Sequence, residues 1–277
     1  VAPTPKTLAS QLSKRGPHQV LRGDLALAGL PGVVYTPAEG FGLPAVVFGH
    51  GWLTGVDRYR ETLTHLASWG LVVAAPDTQR SPVASHLGLA ADLRSAAEIA
   101  AGVRLGPGKI SVDAERIAFA GHAMGAGAAV IAAAGHGAPT AVAALFPAPT
   151  SPPAERFAAK IAGPGLVVAG ADDLDSMNCN AKSLAQAWGG QAILRSVNGG
   201  SGGGLAEGRR LFGALGLGGS ERGTQRTTRA LLTGYLLYHL LGETKYEEFA
   251  TPEAEIPRTA LVDPVAADDH TSQLSAG

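Results

Sequence analysis

Residues 116–130, RIAFAGHAMGAGAAV, decide how the rest of this sequence is read. An apolar run, Ile117 to Ala120, meets a turn framed by Gly121 and Gly125, and small residues suited to a tightly packed helix follow. A strand that enters such a turn and leaves as a helix has the shape of a nucleophile elbow, G-x-S-x-G. In that motif the central side chain is lifted above the sheet, and the glycines let strand and helix approach closely. The centre here is Ala123, between His122 and Met124, so the turn carries no hydroxyl.

Working outward from the elbow, strand and helix patterns alternate. Residues 44–49 (PAVVFG) form an unbroken apolar run between turn residues, as a strand covered on both faces requires. Similar runs occupy 71–75, 141–146, 166–170 and 192–197, and two shorter strand candidates lie at 21–28 and 32–36. Helical spacing marks 58–69, 86–104, 181–188 and 224–241; in the first of these Tyr59, Leu63 and Leu66 fall at i, i+4, i+7. The alternation predicts an α/β fold with a mostly parallel sheet and helices on both faces. Residues 1–18, with Pro3, Pro5 and Pro17, read as a polar lead-in to a single domain over 19–249, and 250–277 as a tail or wrapping segment.

With 277 residues and 45% hydrophobic content, the chain can bury a large core. Its 22 basic and 23 acidic residues are interspersed and the formal net charge is −1, which gives no reason to expect nucleic acid as a partner. Cys179 is the only cysteine, so an intrachain disulfide and a cysteine-based zinc knuckle are both excluded. No segment reaches 18 unbroken apolar residues, and the first residues lack an apolar leader core; the expectation is no transmembrane segment and a cytoplasmic protein, with secretion as the alternative. Two glycine-rich stretches, 199–204 and 213–219, lack the G-K-[ST] ending of a phosphate loop and read as flexible connections.

The sequence resembles the α/β-hydrolase fold, in particular the serine-esterase branch of polyester hydrolases and cutinase-like lipases with their chlorophyllase and dienelactone-hydrolase relatives. GHAMGAG, residues 121–127, is similar to the family's GHSMGGG, differing at the nucleophile and one glycine. VVFGHGWLTG (46–55) resembles its strand and oxyanion loop, and HLASWGLVVAAPDT (65–78) its next helix and strand. GLVVAGADDLDSMNCNAKSLAQAW (165–188) resembles the strand and helix around the triad acid, and LLTGYLLYHLLGETKYEEF (231–249) the C-terminal helix; the likeness runs in order over about residues 20–250.

The resemblance implies a serine nucleophile, an acid and a histidine base in that chain order, with two backbone N–H groups aimed at the developing oxyanion. Carried over, the nucleophile position is Ala123 and the acid position Asp175, with Asp172 and Asp173 as substitutes. The histidine position falls on Gly202 in the loop NGGSGGGL (198–205), and no histidine occurs between His136 and His239. His239 lies inside a Leu- and Tyr-rich helical run and reads as structural, and His270 lies in the tail. The oxyanion donors are expected to be the N–H of Met124 and that of Trp52 or Leu53, while His50 and His122 read as hydrogen-bonded support and not as metal ligands. No metal or cofactor is expected.

Loss at two triad positions points to a non-catalytic pseudoenzyme that binds a small apolar ester or acyl ligand in the old cleft or meets a protein partner. The alternative is a carboxylic-ester hydrolase captured as a Ser-to-Ala nucleophile variant.

Overall fold

The computed structural model describes residues 3–208 and 222–265. Nine strands form one sheet: β1 (Val20–Asp24), β2 (Gly32–Pro37), β3 (Gly40–Gly49), β4 (Val72–Pro76), β5 (Ile110–His122), β6 (Ala141–Leu145), β7 (Gly165–Gly170), β8 (Ala192–Val197) and β9 (Thr259–Leu261). Their order is β1-β2-β4-β3-β5-β6-β7-β8-β9. The pairings from β4 through β8 are parallel, and β1, β2 and β9 are joined to the sheet by antiparallel pairings.

Helices cover both faces, and the strand residues divide between two cores according to the period-two alternation of a strand. Ala45 and Val47 of β3 face α3 (His86–Gly102) and α4 (Met124–Ala134), together with Leu89, Leu93 and Val130. Val46 and Phe48 face the opposite layer, where α1 (Pro5–Leu12), α2 (Arg60–Ser68) and α7 (Arg222–Leu241) pack. Two short helices, α5 (Glu155–Ala158) and α6 (Ala181–Gln186), complete the first layer. The mostly parallel sheet with helices on both faces is as the sequence pattern predicts, and it is consistent with the α/β-hydrolase fold that the resemblance implies.

Three segments carry structure that the sequence reading does not specify. The expected polar lead-in holds helix α1: Pro5 stands at the helix start, where its missing N–H costs nothing, and the Thr4 side chain caps the Thr7 N–H. Its Leu8 and Leu12 are buried in the core against α7, so these residues belong to the folded unit. The strand expected over 21–28 stops at Asp24, whose carboxylate accepts from the Ala26 N–H and starts a 3₁₀ turn, Leu25–Ala28. In the wrapping segment, Thr259–Leu261 adds β9 to the sheet edge; residues 266–277, with His270, and the stretch 213–219 lie outside the described residues.

The α1–α2 contact carries a pH-sensitive group. His65 of α2 is buried and forms a backbone hydrogen bond with Leu12. Burial first, and the Arg229 charge second, lower its pKa from 6.5 to about 4. The unfolded chain therefore takes up a proton at His65 below about pH 6.5, whereas the folded chain resists it until about pH 4. Stability from this group is intact above pH 6.5 and is lost as pH falls toward 4. We expect the melting temperature to fall across this window in a thermal-denaturation series, and to fall less steeply in His65→Gln.

Candidate active-site cleft

The elbow is built as its glycine spacing demands. β5 ends at His122, α4 begins at Met124, and Ala123 between them has φ 51° and ψ −115°, a backbone conformation that non-glycine residues seldom adopt. Its N–H donates to the Leu145 carbonyl at 3.0 Å, and its own carbonyl accepts from Ala126 at 3.1 Å. A Cβ on Gly121 would lie 2.1 Å from the Gly125 carbonyl oxygen, and one on Gly125 2.2 Å from that of Gly49. These approaches are backbone to backbone, so only glycine fits at either place.

Above the elbow, at the C-terminal ends of the parallel strands, lies a cleft of about 860 Å³. Ala123 and Met124 form part of its floor, with Gly202 on one wall and Asp173 close by. Trp52, Phe146 and Met177 supply large apolar surface. Trp52 is half exposed, its indole N–H donating to the Pro82 carbonyl at 3.3 Å. The first N–H groups of α4, those of Met124 and Gly125, precede the Ala126 bond and have no earlier helical turn to accept them, which leaves that end of the helix electropositive. Leu53, the other expected oxyanion residue, has φ 53° and lines not the cleft but an adjoining groove with Asp57 and Arg58.

Gly202, where the resemblance implies a histidine, meets Asp173 and not Asp175. The Gly202 N–H donates to Asp173 Oδ2 at 2.5 Å, and a Cβ on Gly202 would lie 3.5 Å from that oxygen, at ordinary contact distance. Asp175 is directed elsewhere: its carboxylate is exposed and pairs with Lys182 Nζ at 2.6 Å. The cause is the 3₁₀ turn Ala171–Asp173 at the end of β7, which brings Asp173 to the cleft and carries the chain past it before Asp175. Asp172 is exposed and does not line the cleft.

A buried hydrogen-bond chain secures the loop that holds Gly202. The Gly51 N–H donates to Tyr59 Oη at 2.9 Å, and Tyr59 Oη lies 2.7 Å from His122 Nδ1. His122 Nε2 lies 2.7 Å from the Gly202 carbonyl oxygen. Because a carbonyl only accepts, Nε2 carries the proton, and Nδ1 accepts from the tyrosine hydroxyl. The x residue of the elbow thus ties the loop after β3 to the loop that holds Gly202. His50 is separately engaged, its two ring nitrogens facing the Gly51 and Thr78 carbonyl oxygens at 2.9 and 2.7 Å. The part played by Tyr59 is not legible from its place in an apolar helical stripe; only its hydroxyl distinguishes it there.

Further along the same loop, Glu207 accepts from the N–H groups of Glu61 and Thr62 at 2.7 and 2.8 Å and from the Thr62 hydroxyl at 2.9 Å. These bonds clamp the loop to the start of α2, although burial raises the Glu207 pKa. His239 is far from this chemistry in kind: its ring packs edge-on against Tyr235 and Tyr238, and burial lowers its pKa to about 4. Cys179 lines the cleft, with its thiol pKa raised by burial, which keeps it in the protonated, weakly nucleophilic form. Among the described residues, no group of three or more His, Cys, Asp or Glu could hold a metal, and no helix is long and apolar enough to cross a membrane.

The chlorophyllase family model matches residues 23–148, from β1 through the elbow and just past β6. No curated protein matches the chain.

Proposed function

For this member of the α/β-hydrolase superfamily, an esterase-like chain matched by the chlorophyllase family over residues 23–148, we propose a non-catalytic role: binding a small apolar ester or acyl ligand in the elbow cleft without turning it over. The observation that carries this reading is a pair of missing groups around retained scaffolding. Ala123 holds a nucleophile's backbone conformation with only a methyl group, and Gly202 stands against Asp173 where a base would be oriented. Acyl transfer by this machinery needs a nucleophile and a base that takes its proton, and Ala123 and Gly202 supply neither. What remains suits binding: a cleft in the size range of small-ligand sites, apolar walls from Trp52, Phe146 and Met177, and helix-end N–H groups at its floor.

A thermal-shift and tryptophan-fluorescence titration with a short-chain aryl ester and its free acid tests this. We expect saturable stabilisation, about 2.7 kcal/mol at a hundredfold excess over Kd, and its loss in Trp52→Gln. No shift with either compound, or a shift unchanged in Trp52→Gln, would place the function elsewhere.

One observation favours the second reading, an ester hydrolase captured with its serine replaced. The strained conformation at Ala123 serves no evident packing need of a methyl group, whereas a nucleophile depends on it. In that case serine at 123 restores activity alone.

A further inference from the structure

A second groove, of about 480 Å³, lies on the face formed by α1 and α7 and shares no lining residue with the elbow cleft. Four cationic side chains line it: Lys6 of α1, Arg222 and Arg226 of α7, and Arg258 just before β9. Among the described residues, no acidic residue lines the groove and none of the four cations forms an ion pair. The net charge of the whole chain is −1, so this concentration of positive charge is local. Arg222 and Arg226 stand at i, i+4 on one helix face, a spacing at which like charges repel. A bound anion relieves that repulsion.

Arg258 is held in place by more than exposure. It has φ 64°, in the left-handed region that long side chains rarely occupy, and its carbonyl accepts from the Asn198 N–H at 3.0 Å. Its guanidinium lies along the α7 backbone at Gly223, where a Cβ would come within 2.7 Å of Nη2. A larger residue at 223 would displace the guanidinium, so this glycine makes room for it. Hydroxyls of Ser10, Ser13 and Thr227 stand among the cations, and Ala9, Ala230 and Ile256 provide an apolar surface beside them.

We propose that this groove binds a phosphate-bearing small molecule with at least two negative charges, held by Arg226 and Arg258 with support from Lys6 and Arg222. Guanidinium forks match phosphate oxygens in pairs, the Ser10 and Thr227 hydroxyls donate to the remaining ones while that of Ser13 donates to the Ser10 carbonyl, and the apolar surface accepts a non-polar portion of the ligand. A single carboxylate would leave most of these donors unmatched. A soluble phosphate ester and a phospholipid headgroup share this chemistry, and the test separates them.

Calorimetric titration of the full chain with pyrophosphate and with ATP at low salt gives one arm, and co-flotation with phosphatidic-acid vesicles against phosphatidylcholine vesicles the other. We expect saturable binding of a soluble phosphate that weakens as salt rises. Arg226→Gln/Arg258→Gln should reduce affinity by about tenfold or more, Lys6→Gln by less, and Arg104→Gln, outside the groove, not at all. Flotation on phosphatidic acid alone, lost in the double variant, assigns the phosphate to a lipid headgroup. The proposal is overturned if pyrophosphate, ATP and phosphatidic acid all fail to bind. Equal binding by the double variant, or equal flotation on phosphatidylcholine, also overturns it.

Discussion

Gly125→Ala is expected to destabilise the protein by about 3 kcal/mol or more, at the upper end of what overpacking a core produces. The added methyl would meet the Gly49 carbonyl oxygen at 2.2 Å, its carbon at 2.3 Å and the His50 carbonyl oxygen at 2.5 Å. All three are backbone atoms of β3 and the loop that follows it, so no side-chain rotation relieves the contact. Helix α4 would have to move away from β3, opening the layer in which Val130 and Ala126 pack. For a chain of this size the loss corresponds to a fall in melting temperature of about 5 °C. Gly102→Ala is the comparison: it ends α3, nothing lies within 4 Å of its added Cβ, and helix propensity favours alanine. That variant should melt at or slightly above the parent, and a similar fall in both would remove the steric explanation of the elbow.

The largest expected gain is catalytic. Ala123→Ser/Gly202→His should hydrolyse activated aryl esters well above the parent, and Ala123→Ser alone should not. Serine at 123 would sit in the strained turn beside the Met124 N–H, and histidine at 202 would start 3.5 Å from the Asp173 carboxylate at its Cβ. The His122 bond to the Gly202 carbonyl already fixes that loop. A positioned general base contributes about 10²- to 10⁴-fold, and the gap between double and single variants should fall in that range. Asp173→Asn in the double variant should remove most of the gain, whereas Asp175→Asn should leave it, because Asp175 is paired with Lys182. High activity from the single variant would instead support the substituted-hydrolase reading.

The elbow and sheet were legible because they rest on short-range rules: glycine where backbones touch, apolar runs where strands are covered, and 3.6-residue spacing where helices bury one side. Helix α1 was not, since Pro3 and Pro5 read as breakers until Thr4 is seen to cap a helix that begins at Pro5. The acid was narrowed to a cluster of three aspartates, and a 3₁₀ turn of three residues, too short to have a periodicity, separates Asp173 from Asp175. The chain from Gly51 through Tyr59 and His122 to Gly202 joins residues up to 151 positions apart, and no local pattern announces such a network. The cationic groove likewise gathers Lys6, Arg226 and Arg258 from three distant segments, each unremarked in a chain of balanced charge.

The most direct measurement combines occupancy and chemistry on the unaltered chain: an activated aryl ester at a concentration that saturates the thermal shift, followed by product release and intact mass. The account predicts ester recovered intact, no acyl adduct on the protein, and residual hydrolysis no more than about 10⁴-fold above water, the level that binding and oxyanion groups alone can sustain. Turnover near 1 s⁻¹ or faster, in the range of working enzymes, together with an acylated protein, would contradict it.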